Sequence, residues 1–91
     1  MRYSNNSTVQ TTSDTLKCRD LGLSSALYIH PQVKLLDLER DPRGFYWFVF
    51  SNKGLCEQIA NKYWFDSLVI ENAKALNDAR KQLMDKMHGY V

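Results

Sequence analysis

Residues 33–51 read VKLLDLERDPRGFYWFVFS. Two apolar, β-prone runs flank Asp41-Pro42-Arg43-Gly44. Asp at the first position, Pro at the second and Gly at the fourth are what a type I turn favours. The Gly can also take the left-handed conformation of a bulged hairpin. Val33–Arg40 and Gly44–Ser51 are therefore predicted to pair as an antiparallel hairpin. On the first arm, alternation points Val33, Leu35 and Asp37 one way and Lys34, Leu36 and Leu38 the other. On the second, Tyr46, Phe48 and Phe50 share one face, and Phe45, Trp47 and Val49 share the other. Phe48 and Phe50 are the core candidates. The second aromatic set must be covered by the last helix, by the Trp64 region or by a second chain. Left uncovered, it forms an apolar patch of the kind that marks a partner site.

Upstream of the hairpin, Thr15–Cys18 has the character of a short strand. Asp20 stands as the N-cap of a helix over Leu21–His30, with Leu23, Ala26, Leu27 and His30 on one face. Pro31 ends it, since the residue before a proline is pushed out of helical conformation. Downstream, Asn52 is placed to cap a helix from Lys53 to about Phe65. Leu55, Cys56, Ile59, Ala60, Tyr63 and Trp64 form its apolar stripe. Ser67–Ile70 reads as a small edge strand. Asn72 then caps a final helix, Ala73–His88, stopped by Gly89 at the C′ position. Its stripe is Ala73, Leu76, Ala79 with Arg80, Leu83 and Met87. Met1–Asp14 is almost all Ser, Thr, Asn and Gln, which predicts a mobile polar tail. The expected architecture is an α+β domain over residues 15–91: a small, mainly antiparallel sheet with a central hairpin, packed by three helices in the order β-α-β-β-α-(β)-α.

Ninety-one residues make one domain, and 44% apolar with 24% charged residues is ordinary for a globular chain. The net charge is only +2, and acidic residues are interleaved with the basic ones. A strong nucleic-acid binder would show a basic stripe. Two cysteines, Cys18 and Cys56, lie far apart, outside any Cys-x-x-Cys spacing, and are expected to be free thiols in a reducing compartment. The N-terminal residues lack the apolar run of a signal peptide, and no stretch reaches transmembrane length. The expected location is the cytoplasm, and the sequons at Asn5 and Asn6 are then accidental.

Catalytic constellations are not apparent. The glycines are isolated, so there is no phosphate loop. His30 and His88 fall near helix ends, where a histidine commonly meets the last carbonyls. Cys18, Cys56, His30 and His88 have no zinc-like spacing. Asp37, Glu39 and Asp41 are interspersed with Lys34, Arg40 and Arg43 as a mixed, solvated charge cluster. No catalytic residue, metal or cofactor is assigned. One nucleic-acid signature needs testing, because Arg43–Phe50 resembles the RNA-recognition octapeptide, whose aromatics stack on bases. Arg43, Gly44, Phe45 and Phe50 match it, but Tyr46 stands where a small residue belongs. The only counterpart of the companion hexapeptide, Leu27–Gln32, starts 16 residues before Arg43. That leaves no room for the intervening helix and strand.

Four segments together resemble a known family: Cys18-Arg19-Asp20-Leu21-Gly22-Leu23-Ser24-Ser25-Ala26-Leu27, Lys34–Arg40, Trp47-Phe48-Val49-Phe50 and Tyr63-Trp64. Their order over about residues 15–88 is similar to small bacterial and phage-associated proteins, domain-of-unknown-function family 5659. Ser24 and Ser25 stand where that family prefers Ala. The resemblance implies a compact α+β fold and a phage or mobile-element setting, and it transfers no catalytic residue. The expected function is a non-enzymatic binding module that contacts a host protein or a second copy of itself. The expected contact residues are Phe45, Trp47, Trp64, Phe65, Arg40 and Arg43. The alternative is an accessory protein that binds nucleic acid, with Phe45 or Trp47 stacking on bases and Arg40, Arg43, Lys53 and Lys62 at the rim.

Overall fold

The structure is a computed structural model that describes residues 9–65 and 72–89. It is the expected α+β domain. In chain order the elements are β1 (Val9–Thr11), β2 (Leu16–Cys18), α1 (Leu21–Tyr28), β3 (Leu35–Arg40), β4 (Tyr46–Phe50), α2 (Lys53–Trp64) and α3 (Ala73–His88). The strands form one antiparallel sheet in the order β1-β2-β4-β3, and the helices pack on one face of it. The edge strand expected at Ser67–Ile70 lies outside the described residues. None of the described helices is long and apolar enough to cross a membrane.

β1 corrects the expectation of a polar tail reaching to Asp14. Val9–Thr11 pairs with β2, Val9 opposite Cys18 and Thr11 opposite Leu16. A tight turn closes the pair: the Thr12 amide donates to the Thr15 carbonyl at 2.9 Å, and the two threonine hydroxyls meet at 2.6 Å. Main-chain pairing and turn chemistry order this strand. Composition does not reveal it, because little of it is buried apart from the half-buried Val9.

The central hairpin forms as the sequence predicts. The Gly44 amide donates to the Asp41 carbonyl at 2.9 Å, the Asp41 amide to the Phe45 carbonyl at 2.9 Å, and Gly44 takes φ +92°. Its register differs in one respect from strict alternation. Leu35 opposes Phe50 but Asp37 opposes Val49, so Leu36 is an extra residue in a bulge. Beyond it, Leu38 opposes Phe48 and returns to the core side with Leu35, while Leu36 is left 55% exposed.

The helix side of the sheet is the core. Leu16, Cys18, Phe48 and Phe50 meet Leu23 and Leu27 of α1, Cys56, Ile59 and Ala60 of α2, and Leu83 of α3. Asp20 Oδ1 accepts from the Leu23 amide at 2.9 Å, and Asn72 Oδ1 from that of Ala75 at 2.9 Å, so both predicted caps hold. Asn52 is different. It sits before α2 in a left-handed conformation, φ 62°, and its side chain donates to the Gln32 carbonyl at 3.2 Å rather than accepting from the helix. It stitches the α1–β3 connection to the start of α2. Gly89 ends α3 in a right-handed conformation, φ −85°, so its freedom to be left-handed is not used. Both cysteines are free and buried. Burial pushes the Cys18 thiol up to about 12 and the Cys56 thiol to about 11, which makes them packing groups and not nucleophiles.

Candidate binding site at the hairpin end

Trp47 and Val49 point away from the helices, yet they are only 4% and 8% exposed. Among the described residues, their cross-strand neighbours on the outer face are polar. Lys17 stands opposite Val49 on β2, and Glu39 stands opposite Trp47 on β3. Lys17 Nζ reaches Glu39 Oε1 at 3.0 Å, so the ion pair straps across β4, with the lysine stem laid over apolar surface. Among the described residues, a charged outer face thus lies over a large buried aromatic.

Asp41 is the hub of the turn. Its Oδ1 accepts from the amides of Arg43 at 2.9 Å and Phe45 at 3.1 Å. Its Oδ2 accepts from Trp47 Nε1 at 3.0 Å and lies 3.4 Å from Arg43 Nη2. The indole N–H is the strongest influence holding this carboxyl below its ordinary pKa. Partial desolvation opposes it, while the two amides and the Arg43 charge act with it. A lowered folded-state pKa means stability that is present above the ordinary carboxylate value and lost as pH falls through the folded one. Asp41→Asn should therefore melt lower than wild type by a constant margin at neutral and mildly acidic pH. That margin should narrow below about pH 4, as followed by circular dichroism melts. A margin that stays constant into strong acid would mean that the charge of Asp41 is irrelevant to the turn.

Phe45, the residue after the turn, is 43% exposed. The Arg19 guanidinium lies 4.0 Å from its ring centroid and 5.7 Å from that of Trp47, and Arg43 stands 5.2 Å from the Phe45 ring. Arg40 stacks on Tyr46 at 5.5 Å. Three guanidiniums are thus held by aromatic rings at one end of the sheet. Arg19 was missed by sequence reasoning. The available signal was alternation: the residue after Cys18 in the β2–β4 register falls beside Trp47 on the outer face. Two clefts border this end. One, of about 330 Å³, is lined by Lys17, Glu39, Arg40, Asp41, Arg43 and Trp47. The other, of about 290 Å³, has Arg19 and Phe45 at its rim and Leu21, Phe48 and Met87 among its walls.

Of the six contact residues expected from sequence, Arg40, Arg43, Phe45 and Trp47 come together here, with Trp47 as a buried support. Trp64 and Phe65 belong to the helix side. Trp64 packs against the core and edge-on to Tyr63, centroids 5.1 Å apart, and Phe65 is 60% exposed at the end of α2. Among the described residues no group of His, Cys, Asp and Glu is arranged to hold a metal ion. Comparison with protein-family models, with curated proteins and with solved structures finds no match to this chain.

Proposed function

We propose that this protein is a cytoplasmic, non-enzymatic binding module, an accessory protein of a phage or mobile element that docks a protein partner through the hairpin end. One observation carries this reading: a large aromatic, Phe45, is 43% exposed on a turn locked by Asp41 and is framed by the guanidiniums of Arg19 and Arg43. Aromatic residues and arginines on a rigid support are the usual anchors of protein interfaces. Base stacking is less well served. Trp47 is buried, and the Phe45 ring is already faced by guanidiniums where a base would lie. Strand addition at β3 is also disfavoured, because that edge is bulged at Leu36 and the Asp37 carboxylate takes up the Leu38 amide at 2.8 Å.

The test is affinity capture from bacterial lysate on immobilised protein, with Phe45→Ser as the comparison. Phe45 is half exposed, so its loss should cost only about 1 kcal/mol of stability. The expected result is a protein, identified by mass spectrometry, that wild type retains and Phe45→Ser does not. Equal retention of every protein by the two, with sedimentation of a monomer throughout, would sink the reading.

A further inference from the structure

We propose that the hairpin end recognises a carboxylate lying beside an aliphatic side chain, as on an acidic-apolar segment of a protein partner. This rests on the docking reading above and names the chemistry of what is docked. The first ground is a charge imbalance. Arg19, Arg40 and Arg43 converge on the turn, and Asp41 is the carboxylate among them, with both oxygens already engaged by Trp47, Phe45 and Arg43. Glu39 is committed to Lys17. Among the described residues no carboxylate pairs with Arg19 or Arg40, and Arg43 meets Asp41 only at 3.4 Å.

The second ground is Arg19 itself. Its Nη1 is shielded from solvent and has no hydrogen-bond acceptor among the described residues. A shielded donor on a charged group without an acceptor is unusual and calls for a reason. Stacking on Phe45 and Trp47 fixes the guanidinium plane but supplies no counter-charge. Arg19 is half-buried and borders the cleft, so an arriving carboxylate supplies the counter-charge there without reaching the shielded Nη1, and the planar fork of an arginine matches that group in geometry. The third ground is the cleft at the foot of Arg19. Its apolar walls, Leu21, Phe48 and Met87, are suited to an aliphatic side chain next to the bound acid.

A phosphodiester chain fits less well than a single acid. Asp37 faces out of the outer side of the sheet, opposite Val49, and would repel a polyanion crossing β4. One localised carboxylate at the turn avoids it.

The experiment is a titration of the full chain, followed by backbone and arginine side-chain NMR shifts, with three probes. They are an acetylated Gly-Glu-Leu-Glu-Gly amide, its Gly-Gln-Leu-Gln-Gly counterpart, and a three-nucleotide oligothymidylate of equal charge. The Glu peptide should shift Phe45, Arg19 and Arg43 and bind about tenfold more tightly than the Gln peptide. Arg43→Gln, at an exposed side chain, should remove most of that preference. Arg19→Gln should do the same wherever its melt shows it folded. Equal binding of the two peptides, or tighter binding of the oligonucleotide at the same residues, overturns the carboxylate proposal. Absence of shifts with every probe overturns it too. A Phe45-dependent partner in the capture experiment would leave the docking reading standing in each of those cases.

Discussion

Trp47→Ser is expected to cost about 3–5 kcal/mol of unfolding free energy, although the residue points away from the helical layer. The side chain is 4% exposed, and its Nε1 holds Asp41 Oδ2 at 3.0 Å. Serine removes the floor under the Lys17–Glu39 strap and leaves the turn carboxylate without its strongest donor. In a domain of this size the melting temperature should fall by more than about 10 °C. Trp47→Phe keeps most of the ring and loses only the N–H, so it should cost about 1–2 kcal/mol. Urea denaturation of both variants, with sedimentation alongside, separates packing from partnership. A loss below about 1 kcal/mol for Trp47→Ser would show that the strap does not bury the indole in solution. A change in oligomeric state without destabilisation would place Trp47 in an interface instead.

That prediction depends on something alternation alone could not supply. The sequence divides the strand residues Phe45 to Phe50 correctly into two faces, and it identifies Phe48 and Phe50 as core. It cannot say what lies over Trp47, because Lys17 and Glu39 are 22 residues apart and meet only through the β2-β4-β3 strand order. The same order brings Arg19 to Phe45. Local chemistry was legible where it is self-contained: the Asp-Pro-Arg-Gly turn, the Asp20 and Asn72 caps, and the apolar stripe of α2. It was not legible where a long-range pairing chooses between local options. Leu36 is as apolar as its neighbours, and the bulge that expels it is set by the need to put both Leu35 and Leu38 opposite core phenylalanines. Asn52 has the composition of a cap, yet Gln32 is within its reach and the backbone is left-handed there. Val9–Thr11 is ordered by pairing with β2, and a polar composition carries no mark of that.

Phe48→Ala tests the other face of the same strand and should be as damaging. Phe48 is 1% exposed and lies between Cys18 on β2 and Leu38 on β3. Its ring belongs to the cluster that joins the sheet to Leu23 and Leu27 of α1 and Leu83 of α3, so the cavity opens beneath those helices. The expected loss is about 3–5 kcal/mol from transfer and cavity together. A domain of this length has about 5–14 kcal/mol of total stability, so the loss removes a large share of it and unfolds the chain outright at the low end of that range. Phe48→Leu fills most of the space and should cost less than about 2 kcal/mol, which keeps the comparison measurable. The pH profile then distinguishes the two faces. Asp41 owes its lowered pKa first to the Trp47 indole and nothing to Phe48. Phe48→Leu should therefore lower stability by the same amount at neutral pH and in acid. Trp47→Phe should lose part of its penalty as pH falls through the range where Asp41 takes up its proton. Parallel profiles for the two variants would mean that the turn and the outer face are not coupled through that hydrogen bond.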